Sequence, residues 1–204
     1  MGLDLSEGML IRAARKSRPH DNSLLVRWVL GDAEALPFAD ASFELVMSVN
    51  CLSHLNRLDA AISSQYRALR RGGIFALKFR GDLTLERPVE RAMRSALARE
   101  LPAKKLASIL SMYEPASLEA AGRTTAEAGF EALDVSTARE DWMADVDEEV
   151  RRFPSIVGYM LEPLAHAERD RVLRRFAENL RDAAGSEGLP DFSYSVTLTA
   201  RRPL

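Results

Sequence analysis

Acidic and polar residues stand in this sequence where apolar, β-prone runs stop. Asp4 lies in a short apolar stub at residues 1 to 5. Gly31-Asp32-Ala33-Glu34 follows the run Leu24 to Leu30, and Asn50-Cys51-Leu52-Ser53-His54 follows Phe43 to Val49. Lys78, Arg80 and Asp82 accompany the end of Ile74 to Phe79. In an open α/β sheet, ligands bind beyond the carboxyl ends of the strands. A carboxylate there can accept both hydroxyls of a ribose, and a second carboxylate one strand over can accept the exocyclic amine of an adenine. Asp and Gly are also ordinary turn formers, so the spacing alone leaves a nucleoside site and a plain turn equally open.

Other chemistries find less support. The three histidines (His20, His54 and His166) are scattered, and no Cys/His cluster has metal-ligand spacing, so no metal site is expected. Cys51 is the single cysteine, which excludes an internal disulfide and suits a reducing compartment. With no base and orienter beside it, it reads as a small packed side chain and not a nucleophile. His54 could act as a base or simply pack its loop. No catalytic residue is assigned. Tyr113, Trp142 and Tyr159 fall in helical patterns and read first as packing residues that could also line a pocket.

The 204 residues carry 47% hydrophobic and 28% charged residues, with a formal net charge of −2. That balance suits one domain with a sizeable core and gives no electrostatic match to nucleic acid or an anionic membrane. The basic clusters Arg12, Arg15, Lys16, Arg18 and Arg171, Arg174, Arg175 read as solvated helix faces. No signal pattern and no apolar run near the ~18 residues of a membrane span is present, so a cytoplasmic protein is expected.

These residues must be positioned by alternating strands and helices. Ser6 can cap a helix carrying Met9, Leu10, Ala13 and Ala14, which Pro19 stops. Phe43 to Val49, continuous but for Glu44, predicts a strand covered on both faces. Leu58, Ala61, Ile62, Tyr66 and Leu69 form a helical stripe that Gly72-Gly73 would end as a left-handed cap. Helices are predicted over 84–114 and 116–129, a strand over 130–135 and a second helical block over 140–184. Phe192 to Ala200 alternates, which predicts an antiparallel last strand. The fold class is α/β: a mainly parallel, Rossmann-like sheet with helices on both faces.

The stretches GLDLSEGMLIRAARK (2–16), GDAEALPFADASFELVMSVNCLSHL (31–55), RALRRGGIFAL (67–77), AGFEALDV (128–135) and VTLTARRP (196–203) stand in order along most of the chain. Together they resemble class I S-adenosylmethionine-dependent methyltransferases, a broad group that includes the ubiquinone/menaquinone C-methyltransferases. The resemblance implies S-adenosyl-L-methionine as cofactor and a small-molecule acceptor. It assigns Asp4 to the cofactor ribose, Leu5 to the adenine face, Asp32 to the adenine amine, the Ala33 N–H to a ring nitrogen and Asn50 to the methionine end. It implies one domain over 1–204 with helical cap insertions near 82–115 and 138–190, where substrate would bind. Holding donor and acceptor in line can supply about 7–11 kcal/mol of the barrier.

The family also has a first strand and a GxGxG turn, and this sequence contains neither; it opens inside the second strand. Three readings stand open: a fragment of a full enzyme, a degenerate module that binds a partner without catalysis, or a strand supplied by another chain. The expected consequences are uncovered sheet edges, self-association through them and weak or absent cofactor binding. A nicotinamide-dependent oxidoreductase could also use Asp4, but the GDAE…LPF…FELV block argues against it.

Overall fold

A computed structural model describes residues 1–16, 26–80, 86–111 and 117–204. They form two compact units, which the chain enters and re-enters: residues 1–79, 117–136 and 197–204, and residues 80–116 and 137–196.

The first unit holds the strand ends singled out above. β1 (Gly2–Asp4) and β2 (Trp28–Leu30) pair in parallel, Asp4 opposite Leu30. Part of the expected strand at 24–30 and the helix stop at Pro19 lie outside the described residues. Between them α1 (Glu7–Lys16) starts with the Met9 N–H bonded to Ser6 Oγ at 3.3 Å. Its apolar stripe finds no cover: no residue of α1 is buried. β3 (Phe43–Val49) pairs in parallel with β4 (Leu69–Arg80), and the larger sheet runs β3-β4-β6-β5 with β5 (Glu131–Ala144) and β6 (Leu189–Arg201). The end of β6 meets the start of β4, through Gly72 N–H to Arg202 O and Arg202 N–H to Gly73 O, both 2.9 Å, so β6 runs antiparallel to β4. On β6, Val196, Leu198 and Ala200 are buried in alternation, as the sequence predicts. α2 (Leu58–Ala68) and α5 (Leu118–Glu127) pack in this unit, and Phe75 stacks on Phe130, which meets Tyr66 edge-on, each pair at 4.9 Å.

The strands fall in two sheets, β1–β2 and β3–β4–β6–β5. Two expectations need correction here. β3 is not covered on both faces, because Leu45, Met47 and Val49 are 50%, 63% and 47% exposed. Gly72-Gly73 does not cap α2, which ends at Ala68. The buried Leu69 already belongs to β4, and the Arg202 guanidinium bonds to the carbonyls of Tyr66, Arg67 and Leu69 while lying 4.6 Å from the Tyr66 ring. A cation on the last carbonyls does the work expected of the glycines. Gly72, at φ +72°, instead lies where β4 bulges, as Phe43 pairs with Leu69 and Leu45 with Ile74.

The second unit is helical. α3 (Pro88–Glu100) and α4 (Ala103–Ser111) are two helices rather than one over 84–114, broken at Leu101-Pro102. α6 (Val146–Ile156), α7 (Gly158–Leu161) and α8 (His166–Ala183) complete it. Val89, Ala92, Met93, Ala96 and Leu97 of α3 are buried in one core with Val172, Phe176 and Leu180 of α8. The strand expected at 130–135 continues to Ala144, so Trp142 lies on β5 and not in a helix. There it sits under Arg87, 5.4 Å from the guanidinium carbon. Arg87 makes a bidentate pair with Asp191, whose side chain is fully buried.

Candidate functional site

Asp4 and Asp32 come together because β1 and β2 run side by side in the same direction. Asp4 is the last residue of β1, and its carbonyl accepts the Gly31 N–H at 3.1 Å, so Asp32 lies one residue beyond that bond. Each carboxylate spends one oxygen locally. Asp4 Oδ1 accepts the Ser6 N–H at 2.8 Å, and Asp32 Oδ1 accepts the Glu34 N–H at 2.8 Å. The second bond caps a single 3-10 turn at Ala33–Ala35. No bond to either second oxygen occurs among the described residues. Two carboxylate oxygens at neighbouring strand ends suit a ligand that presents N–H and O–H donors.

Sequence reasoning missed what holds this loop. Glu34 Oε1 accepts the N–H groups of Asn56 (2.6 Å) and Arg57 (3.1 Å), tying the Ala33 turn to the start of α2. Ser64 Oγ accepts the Leu36 N–H at 2.8 Å. Arg67 donates to Leu36 O at 2.8 Å, to Phe38 O at 2.7 Å and to Asp40 at 2.6 Å. α2 and its N-terminal cap thus clamp residues 34–40 over about three turns. Glu34 stands in the quoted GDAE block, so its position was visible, but its partners 22 and 23 residues away were not.

The remaining predicted residues fall as follows. Leu5 is 74% exposed just past β1. Ala33 lines a cleft of about 170 Å³ with Leu3, Met47, Ser48, Cys51 and Gln65. Asn50 is exposed at the end of β3 in the left-handed region, φ +55°, a conformation that Asn tolerates, and its N–H bonds to Lys78 O at 2.8 Å. That turn leads into Leu52–His54, with His54 exposed. Cys51 is half-buried, with Sγ 3.2 Å from Val49 O. No group of three or more His, Cys, Asp or Glu residues that could hold a metal occurs among the described residues. Tyr113 lies outside them, and of Tyr159 only its place in α7 is described.

A methyltransferase-domain family matches residues 1–77. Over that stretch the chain is similar to S-adenosylmethionine-dependent methyltransferases. It is 45% identical over 85 residues to a malonyl-acyl-carrier-protein O-methyltransferase of Methylococcus capsulatus, a stretch that is 42% of this chain and 30% of that protein. It is 37% identical over 78 residues to the ubiquinone/menaquinone biosynthesis C-methyltransferase UbiE of Dinoroseobacter shibae, covering 38% of this chain and 31% of that one. A Geobacter sulfurreducens malonyl-acyl-carrier-protein O-methyltransferase aligns at 28% identity over 95% of this chain and 71% of its own length. The match thus spans less than a third of the length of the first of these relatives.

Its fold resembles that of a putative methyltransferase from Bacillus halodurans, with a TM-score of 0.57, 20% identity and coverage of 99% of this chain and 82% of that one. It also resembles the cyclase SpnF, at a TM-score of 0.55 and 21% identity, over 100% of this chain and 66% of that one. A cyclase on this architecture shows that the fold alone does not fix the chemistry. No helix among the described residues is long and apolar enough to cross a membrane.

Proposed function

We propose that this chain forms the larger part of a methyltransferase domain that uses S-adenosyl-L-methionine to methylate a small-molecule acceptor. The observation that carries this reading is the pair of strand-end carboxylates, Asp4 and Asp32. Each keeps one oxygen for a ligand donor after satisfying its own backbone. In this assignment Asp4 holds the ribose hydroxyls, Asp32 the adenine amine and the Ala33 N–H a ring nitrogen. Leu5 covers the adenine, and Asn50 faces the methionine end. The bound cofactor supplies a methyl group made electrophilic by its sulfonium. The chain's own part is to hold the acceptor in line with that methyl and to keep water away from it. We assign acceptor binding to the helical segments near 82–115 and 138–190. The acceptor class follows the relatives, whose names describe a malonyl-acyl-carrier-protein O-methyltransferase and a C-methyltransferase of ubiquinone/menaquinone biosynthesis.

The second reading is a non-catalytic module of the same fold. Calorimetric titration with S-adenosylhomocysteine separates the two. The enzyme reading expects weak binding, with a Kd of about 1 mM (~4 kcal/mol), abolished by Asp4→Ala and by Asp32→Ala. Binding that both variants retain favours the module, as does an absence of binding that persists when the chain is extended upstream.

A further inference from the structure

Glu34 stands between the two halves of the proposed cofactor site. The turn that would meet the adenine, Asp32 to Ala35, is a single 3-10 turn. It is held locally by the Glu34 N–H on Asp32 Oδ1 at 2.8 Å and the Ala35 N–H on Asp32 O at 3.2 Å. So short a turn has little stability of its own. The loop that would meet the methionine end begins at Asn50 and leads through Leu52–His54 into α2 at Leu58. Its start is bonded to β4, through the Asn50 N–H on Lys78 O at 2.8 Å. Its end is bonded to the adenine turn, through the Asn56 and Arg57 N–H groups on Glu34 Oε1 at 2.6 and 3.1 Å.

This contact differs from a surface ion pair. The Glu34 side chain is only 15% exposed. Its partners are two backbone N–H groups at the start of α2, a helix end with no side-chain cap of its own, so the carboxylate also meets the positive end of the helix. Bonds from a carboxylate to backbone N–H groups are among the stronger ones in proteins. The Arg57 side chain adds little, being 3.9 Å away and largely exposed. One carboxylate therefore joins two segments 22 residues apart in the chain. In a site that works by alignment, a misplacement of about 1 Å can cost about 100-fold.

We propose that Glu34 is the positioning residue that couples the two ends of the cofactor site, a role that rests on the assignment of Asp32 and Ala33 to the adenine and Asn50 to the methionine end. In that assignment Glu34 does not touch the ligand. It fixes the turn and the loop in one frame, so a ligand that spans both gains from the tie, and a ligand that meets the turn alone gains little. The reach of the side chain decides the effect. Glu34→Gln keeps an oxygen that accepts both N–H groups. Glu34→Asp keeps the charge but is one methylene shorter, and with its own N–H held by Asp32 it falls short of Asn56 and Arg57.

The test follows backbone amide resonances of the chain during titration with S-adenosylhomocysteine, which spans both ends, and with adenosine, which reaches only the turn. Glu34→Ala should weaken S-adenosylhomocysteine binding about tenfold or more and adenosine binding about threefold or less. Without ligand, it should speed hydrogen exchange at the Asn56 and Arg57 amides about tenfold while leaving the Asn50 amide, held by Lys78 O, unchanged. Glu34→Asp should behave like Glu34→Ala, and Glu34→Gln should stay within about threefold of the native chain for both ligands. A role in folding alone would weaken both ligands equally. The proposal is overturned by equal losses for the two ligands, by S-adenosylhomocysteine binding that Glu34→Ala retains, or by Glu34→Asp binding like the native chain. A native chain in which neither ligand shifts the Ala33 amide overturns the cofactor assignment itself, and the proposal with it.

Discussion

Replacing Asp191 by Ala should nearly unfold the helical unit. The Asp191 side chain has no solvent exposure, and Arg87, its partner, is only 15% exposed. The carboxylate accepts Arg87 Nε at 3.0 Å and Nη2 beside it, and also the Phe192 N–H at 2.8 Å. Burial works against the guanidinium charge, yet the hydrogen bond and charge of Asp191 outweigh it and hold Arg87 above its ordinary range. Removing one partner of such a pair leaves an uncompensated buried charge, which costs about 3–5 kcal/mol. A typical domain has about 5–15 kcal/mol in all. With a urea dependence of about 1–1.5 kcal/mol per molar, the midpoint should fall by roughly 2–5 M. The two tryptophans are Trp28 in the first unit and Trp142 in the second. Fluorescence-detected urea unfolding in a Trp28→Phe background therefore reports the helical unit. The double variant Asp191→Leu, Arg87→Met should recover most of the loss, since apolar replacement of a buried pair is often neutral. A loss below about 1 kcal/mol for Asp191→Ala would refute the reasoning, as would a double variant no more stable than the single.

Three further outcomes are expected. Asp32→Asn keeps an acceptor for the Glu34 N–H but turns an amide toward the ligand, so urea stability should change little while S-adenosylhomocysteine binding weakens at least tenfold; Asp32→Ala should lose both, with about 1 kcal/mol of stability. Arg202→Met removes the donors on three carbonyls at the end of α2 and should cost about 1–3 kcal/mol in urea unfolding, with Arg202→Lys recovering less than half of it. The Glu168 carboxyl accepts from Lys105 at 2.5 Å and from the Ala165 N–H at 3.0 Å, contacts that hold it below its ordinary range. A depressed folded value means its contribution is present above the unfolded value of about 4.3 and is lost as pH falls through the folded one. The thermal-melt difference between the native chain and Glu168→Gln should therefore shrink from pH 6 to pH 3, and an unchanged difference would count against the contact.

How much of this was legible in the sequence depends on how far apart the deciding groups lie. The strand ends at Asp4, Asp32 and Asn50 were legible because each depends on a local apolar run and the turn residue that follows it. So were the Ser6 cap and the alternation at 196–200, since both are set by neighbouring residues. The end of α2 was misjudged because its deciding group, Arg202, lies more than 130 residues away and outbids a local glycine signal. The extension of β5 to Ala144 escaped for a similar reason. Residues 136–144 carry charges and small residues with no strand-like apolar pattern, and they are extended because the ladder beside them continues.

The sequence by itself determined that this is an α/β chain resembling S-adenosylmethionine-dependent methyltransferases over its first 77 residues, and which carboxylates stand at its strand ends. Those features follow from local pattern and period. Only the tertiary structure decided that one face of β3 is open. It alone left the buried Gln65 Oε1 without a hydrogen-bond partner among the described residues. A run such as Phe43–Val49 reads the same whether its faces are covered or bare, because hydrophobicity records what a strand could bury, and burial depends on what folds against it.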